Sequence, residues 1–305
     1  MKAMILAAGL GTRLRPLTDS RPKALVELNH RTLLEITIAR LASFGVTEFI
    51  VNVHHFAQMV VDYLHSKNNF NLRIEISRED DQLLDTGGGL QKAAWFFLEN
   101  SSAANQASLG EGPGFSRHSP LATRHFPSEP FFLHNVDVLS NIDLNAMLQF
   151  HKQHDALATL AVQSRPTSRP LLFNNHLQLF GRRIGDKDFA IPSPHSAVIS
   201  SEARNLSSLS SHSPLATSHS PLPQSKESSL LLHSFAFSGI HVLSPRILPQ
   251  LTESAPFSII DSYLRLSSQS QKILAFPADT SYWRDLGKPS DLAQASLDLQ
   301  QNVPR

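Results

Sequence analysis

The sequence predicts an α/β fold, a mostly parallel sheet flanked by helices, and three observations carry that expectation. Near-continuous apolar runs at Lys2 to Ala8, Glu48 to Val53 and Phe131 to Val136 read as strands buried on both faces. Segments with apolar residues at helical spacing separate them, so right-handed crossovers between parallel strands are expected. At 305 residues the chain has ample length to bury a core without disulfide staples.

The elements follow in order. The first strand runs straight into a Gly-rich segment, so it ends in a special loop. Leu34, Ile38, Leu41 and Gly45 recur at helical spacing, Glu48 to Val53 forms the second strand, and a helix fits Phe56 to His65. Leu72 to Ser77 alternates like a strand, Leu90 to Leu98 reads as a helix, and Phe131 to Val136 is again a strand. After Asp143 the pattern becomes more mixed: a helix through His151, a strand over Ala156 to Val162, a hairpin around Asn174-Asn175, and a strand over Phe235 to Leu243. A helix over Ser258 to Leu266, a strand at Lys272 to Phe276, the segment Tyr282 to Gly287 and a helix from Pro289 to about Leu299 complete the reading. Pro289 suits a helix's first turn.

Composition narrows the function. Lys and Arg total 27 against 26 Asp and Glu, a formal charge of +1, so no global field recruits nucleic acid or a membrane. The absence of cysteine excludes thiolate zinc sites, iron–sulfur clusters and cysteine nucleophiles. MKAMILAAG resembles a signal peptide for a few residues, but Gly9, Gly11, Arg13 and Arg15 follow at once and a buried strand is the better reading. No apolar run is long enough to cross a bilayer, so a soluble, cytoplasmic protein is expected. Two stretches, 100–130 and 192–229, are rich in Ser, Pro, Gly, Ala and His and are expected to be mobile inserts. The repeated HSPLAT at His118 and His212 marks duplicated low-complexity sequence; His118, His125, His212 and His219 lack the fixed geometry a metal needs.

The densest chemistry lies in Leu6 to Lys23, LAAGLGTRLRPLTDSRPK. Glycines free backbone N–H groups to meet phosphate oxygens, and Arg13, Arg15, Arg21 and Lys23 supply the neutralising charge. Neither the dinucleotide fingerprint, which needs Gly where Leu14 stands, nor the Walker motif matches. Asp85-Thr86-Gly87-Gly88-Gly89 precedes a helix and would let backbone approach a planar ligand. Phe131 to Asp143 places Asp137 at the carboxyl edge of a strand, where α/β sheets bind ligands and where a carboxylate suits Mg²⁺. Tyr282 to Pro289 reads YWRDLGKP.

Gly9, Gly11, Thr12, Arg13, Pro16, Leu17, Thr18, Pro22 and Lys23 coincide with G-x-G-T-R-x-x-P-L-T followed by P-K, a pattern that resembles the signature of sugar-1-phosphate nucleotidylyltransferases. YWRDLGKP resembles the family's W-x-D-x-G-x-P, and Asn135-Val136-Asp137 its Asn-Gly-Asp with Val for Gly. The resemblance covers most of 1–99, 130–191 and 230–300. It implies a Rossmann-like single domain, with a nucleotide-binding half at 1–150 and a mixed sugar-binding, metal-completing half at 151–305.

By resemblance, Ala8, Gly9, Gly11, Thr12, Arg13, Lys23, Thr86, Gly87 and Gly88 contact the nucleotide, and Asn135, Arg169, Ser238 and Gly239 the sugar. Arg165 is a further possible sugar or phosphate contact. Asp137 and Asp285 jointly hold one Mg²⁺, and Arg13, Lys23 and Asp137 are the catalytic set. The reaction implied is NTP plus sugar 1-phosphate giving NDP-sugar plus pyrophosphate. UTP or GTP is favoured over dTTP: the Asp-Thr-Gly-Gly-Gly turn most resembles members acting on N-acetylmuramate 1-phosphate with UTP, while similar members use mannose or heptose phosphates with GTP. His54, His55 and His134 read as hydrogen-bonded strand-edge residues. Alternatives are a nucleotide-sugar-consuming glycosyltransferase, whose Asp-x-Asp is incomplete here, and a non-catalytic NTP-binding or nucleotide-sugar-binding sensor.

Overall fold

The computed structural model describes residues 1–99, 128–185, 187–190 and 232–301. The expected inserts, with their four histidines, therefore lie almost wholly outside the described residues. β1 (Lys2–Leu6) is followed by a short hairpin of β2 (Glu27–Leu28) and β3 (Arg31–Thr32), then α1 (Leu33–Ser43), β4 (Glu48–Val53), α2 (Ala57–Ser66), β5 (Arg73–Arg78), α3 (Asp85–Lys92), α4 (Ala94–Leu98) and β6 (Phe131–Asn135). The second half runs β7 (Val138–Ser140), α5 (Leu144–Gln153), β8 (Ala158–Gln163), β9 (Leu171–Phe173), β10 (Leu179–Ile184), β11 (Lys187–Ala190), β12 (His233–Leu243), α6 (Ile259–Ser268), β13 (Ile273–Pro277), β14 (Trp283–Asp285) and α7 (Pro289–Gln300).

The expected α/β fold is present. β6, β1, β4 and β5 lie side by side and parallel, and beyond β6 the long β12 runs antiparallel and leads into β9, β10 and β11. β8 pairs antiparallel with β12 and parallel with β13. Helix starts follow from local chemistry: the Thr32 hydroxyl accepts from the N–H of Glu35, Asp143 accepts from Asn145 and Ala146, and Pro289 occupies the first turn of α7.

Alternating side chains of each central strand feed two cores. Ala3, Ile5, Phe49, Val51 and Phe132 face α1, α2 and α5, whereas Met4, Ile50, Phe131 and Leu133 face α3, α4 and α6. This double cover is why β1, β4 and β6 read as continuous apolar runs rather than alternating ones. Among the described residues no helix is long and apolar enough to cross a membrane.

One boundary departs from the sequence reading in a way that matters for the site. The helix expected at Leu90 to Leu98 starts earlier, at Asp85, and breaks at Ala93 into α3 and α4, so the triple glycine lies inside a helix rather than in a loop before one.

Three histidines are buried in this core. His134 sits in β6 with Nδ1 2.8 Å from the carbonyl of Asn135, His241 Nδ1 lies 2.8 Å from the Tyr263 hydroxyl, and His151 contacts the Thr159 hydroxyl at 2.9 Å. Burial lowers His134 and His151 to about 4 and His241 to about 3. Because the unfolded chain takes up these protons near pH 6.5, folding loses stability as pH falls from there towards 4, on the order of 1 kcal/mol per pH unit for each histidine. Melting temperature followed by circular dichroism is expected to fall steadily between pH 7 and pH 4.5; a flat profile would contradict this account of the core.

Candidate active site

The loop after β1 is shaped by Gly11, whose φ of +64° lies in the left-handed region that favours glycine and which starts a 3₁₀ turn over Thr12–Leu14. Leu14 is buried and anchors the turn, and the Thr18 hydroxyl donates to the Gly11 carbonyl at 2.8 Å. Lys23 opens a second 3₁₀ turn between the buried Pro22 before it and the buried Ala24 and Leu25 after it, so its backbone is anchored by packing on either side.

The Lys23 ammonium donates directly to Asp137 Oδ2. Both side chains are largely buried, 12% and 13% exposed, so this pair sits where water screens it weakly. Asp137 occupies the turn between β6 and β7. The preceding Val136 is buried in the core, and its N–H donates to the Leu6 carbonyl at 3.2 Å, extending the β1–β6 ladder. A valine is therefore accommodated by ordinary strand packing.

Asp285 arrives from the far end of the chain by strand pairing. β14 lies antiparallel to β7 with Asp285 opposite Val138, and the N–H of Leu286 donates to the Asp137 carbonyl at 2.8 Å. The two acids are thus neighbours, and Arg13 lies 3.7 Å from Asp285 Oδ2. Burial raises the pKa of Asp285, the charge of Asp137 raises it further, and Lys23 and Arg13 oppose the shift. Asp285 Oδ1 is shielded from solvent and meets no hydrogen-bond donor in good geometry, the nearby Gly287 N–H helping to favour the charged form. A Cβ on Gly287 would lie 2.5 Å from that oxygen and 2.6 Å from Arg13 Nη2, so only glycine lets the two groups approach there.

β14 itself is braced from behind. The Trp283 indole donates to the Ser238 carbonyl at 2.8 Å, and Arg284 and Tyr282 both bond Asp298 on α7. Arg165 stacks on Trp283, 3.6 Å from the ring centroid, and donates to the Phe237 carbonyl at 2.8 Å.

A cavity of about 230 Å³ opens along the carboxyl ends of β6, β1 and β4. Ala8, Gly9, Lys23, Thr86, Asn135 and Asp137 line it, which gathers six of the residues expected at the site. Gly11 packs behind Lys23 and Thr12 is exposed on the 3₁₀ turn. Ser238 and Gly239 form a bulge in β12, where the register against β8 shifts between Phe237 and His241, and a Cβ on Gly239 would lie 2.9 Å from Asn135 Nδ2.

Three expected contacts are placed differently. Gly87 and Gly88 are buried in α3 and their N–H groups both point to the Phe257 carbonyl, so they receive the protein's own backbone. Arg169 is exposed on the loop before β9, whereas Arg165, four residues earlier, is the arginine at Trp283 and within electrostatic reach of Asp285. Sequence reasoning missed Asn52, Leu83 and Asp85 in the cavity wall. The signal for Asn52 was available, since it is the one polar residue that interrupts the apolar run near the end of β4.

Such an arrangement could take a polyphosphate together with a divalent cation. Asp137 and Asp285 offer hard oxygens, one of them meeting no donor in good geometry, and crowd each other in a way that a doubly charged ion relieves. Among the described residues no group of three or more acidic or histidine side chains could hold a metal unaided, so phosphate oxygens or water would have to complete its shell.

A family model described as nucleotidyl transferase matches residues 2–173. An N-acetylmuramate alpha-1-phosphate uridylyltransferase of Caulobacter vibrioides is 46% identical over 115 residues, covering 37% of this chain and 43% of that protein. A probable mannose-1-phosphate guanylyltransferase of Oryza sativa subsp. japonica is 26% identical over 292 residues, 95% of this chain and 62% of that protein. The matches thus span between about two fifths and three fifths of these relatives' length. In three dimensions the chain is similar to a UDP-glucose pyrophosphorylase from Acinetobacter baumanii, with a TM-score of 0.65 at 16% identity over 100% of this chain and 94% of that one, a likeness that establishes the fold.

Proposed function

We propose, starting from the fact that this chain belongs to the nucleotidyl transferase family, that it joins a nucleoside triphosphate to a sugar 1-phosphate and releases pyrophosphate. The observation that carries this reading is the convergence of Asp137 and Asp285 beside Lys23 and Arg13, through the β7–β14 pairing. One oxygen of the sugar phosphate attacks the α-phosphorus, the new oxygen–phosphorus bond forms as the bond to the β-phosphate oxygen breaks, and pyrophosphate leaves with the electron pair. No protein nucleophile is needed, because the attacking oxygen is already anionic; catalysis reduces to alignment and charge neutralisation.

Arg13, exposed on its turn, is suited to hold the departing pyrophosphate. Lys23 would transfer its contact from Asp137 to the α-phosphate and stabilise the charge that builds there. Asp137 and Asp285 would hold Mg²⁺, which supplies Lewis-acid neutralisation of the two reacting anions. On this reading Asn135 in the cavity wall, with Gly239 packed beside it, and Arg165 near Asp285 would meet the sugar phosphate.

The names of the relatives favour UTP or GTP as the nucleotide, and N-acetylmuramate or mannose phosphates as first choices for the acceptor. The cytoplasm is the compartment this reading expects. The test is a panel of UTP, GTP, dTTP and ATP against hexose, hexosamine and muramate 1-phosphates, scored by pyrophosphate release. At least one pair is expected to give stoichiometric NDP-sugar and pyrophosphate; nucleotide binding without product from any pair would identify a sensor instead.

A further inference from the structure

The carboxyl ends of β4 and β5 hold a buried amide and a buried carboxylate that the reaction outlined above does not use. Asn52 and Glu79 are 3% and 1% exposed. Asn52 Oδ1 accepts from the N–H of Ala7 at 2.8 Å, Asn52 Nδ2 donates to Glu79 Oε1 at 2.6 Å, and Glu79 Oε2 accepts from the N–H of Leu84 at 2.8 Å. An unbroken hydrogen-bonded chain therefore runs from the first residue after β1 to the last residue before α3. Among the described residues no cation pairs with Glu79, so this carboxylate is held in the interior by neutral donors alone. Such burial is costly unless the geometry is satisfied at every atom.

The surroundings are built around the pair. A Cβ on Gly89 would lie 2.8 Å from Asn52 Nδ2 and 2.9 Å from Glu79 Oε1, so α3 leaves at that position the space the two side chains fill. Both ends of the chain open on the same cavity, Ala8 and Gly9 beyond one and Asp85 and Thr86 beyond the other, with Asn52 in the wall between them. Lys23 and Asp137 lie at the β6 side of that cavity, and the β4 and β5 ends are the opposite side by strand order.

We propose that Asn52 and Glu79 are positioning residues that fix the separation between the loop after β1 and the turn before α3, and thereby the slot that receives the nucleoside end of the triphosphate. This rests on the nucleotide reading of the cavity. The hydrogen-bond directions are forced: a backbone N–H can only donate, so Ala7 must face the amide oxygen and Leu84 a carboxylate oxygen, which leaves the amide N–H to bridge the two side chains.

That forced pattern has an inverted equivalent. Asn52→Asp combined with Glu79→Gln keeps the charge, the shape and all three hydrogen bonds, with the new carboxylate accepting from Ala7 and from the new amide, whose carbonyl accepts from Leu84. Either substitution alone breaks the pattern. Glu79→Gln sets two amide N–H groups against each other or unpairs a backbone N–H, and Asn52→Asp sets two carboxylates face to face.

The experiment measures Kd for UTP and for GTP by calorimetry, KM for the sugar 1-phosphate and the melting curve, on the wild-type chain, the two single variants and the double variant. Each single variant is expected to weaken nucleotide binding about tenfold or more, the scale of one unpaired buried group. KM for the sugar 1-phosphate should stay within about twofold, and the double variant should recover nucleotide Kd to within about threefold of wild type. Single variants that keep wild-type nucleotide affinity, or a folded double variant that binds no better than they do, would overturn the proposal. If a single variant does not fold, the double variant decides alone: wild-type Kd supports the pairing and weakened Kd overturns it. A wild-type chain that binds neither nucleotide overturns the nucleotide reading itself, which is a different failure from wild-type binding that the variants leave unchanged.

Discussion

Lys23→Ala is expected to lower pyrophosphate release about a hundredfold or more while the chain remains folded. Lys23 lines the proposed site, and its ammonium is held against Asp137 with both side chains largely out of solvent. A charge placed there acts in a medium that screens it poorly, and on this reading its contact passes from Asp137 to the α-phosphate as substrate binds. Removing it leaves Asp137 without its partner. For a fully buried pair that loss would cost about 3–5 kcal/mol; here the cost should be smaller, because Asp137 lines an open cavity through which water can reach it. The sheet core does not pass through Lys23, so a lowered melting temperature with an intact circular dichroism spectrum is the expected companion of the lost turnover. Wild-type pyrophosphate release by purified Lys23→Ala would show that the chemistry lies elsewhere.

Asp285→Asn should separate activity from stability in the opposite sense. Burial and the neighbouring charge of Asp137 raise the pKa of Asp285, which means that the folded state disfavours its ionised form relative to the unfolded chain. For an acid whose folded pKa is raised, the penalty appears as pH rises through the unfolded value and is fully present above the folded one. At pH 7.5 the neutral amide should therefore leave the melting temperature unchanged or raise it, whereas turnover should fall about a hundredfold or more with the loss of a cation-holding oxygen. Measuring both on the same preparation checks the claim. A strongly destabilised variant, or one that keeps its turnover, would contradict the role given to Asp285.

The residues whose chemistry is written in local sequence were the ones legible beforehand. β1, β4 and β6 announce themselves because two packed faces demand continuous apolar runs, and Lys23 and Asp137 because a phosphate site needs a cation beside a Gly-rich turn and an acid at a strand's carboxyl end. Asp285 was legible only through resemblance. What joins it to Asp137 is a three-residue pairing of β7 with β14, too short to leave a period in the sequence.

The triple glycine was readable only in part. Consecutive glycines signal close approach but not what approaches, and here the partners are Phe257 for Gly87 and the Asn52–Glu79 pair for Gly89. Glu79 itself sits in the charged run Arg78 to Asp81, where nothing local distinguishes a buried carboxylate from its solvated neighbours. Arg165 and Arg169 are likewise equivalent on paper, and only the fold selects the one that reaches Trp283.

The most direct test of the shared cation site is a Mn²⁺ titration in the presence of a non-hydrolysable triphosphate analogue, read from the electron paramagnetic resonance signal of the free ion. It compares the wild-type chain with Asp137→Asn, Asp285→Asn and the double variant. A single ion held by both carboxylates predicts one tight site that either substitution weakens severely and that the double variant weakens no further. Two independent sites, or losses that add in the double variant, would mean that the acids serve separate ends and that the proposed mechanism is wrong.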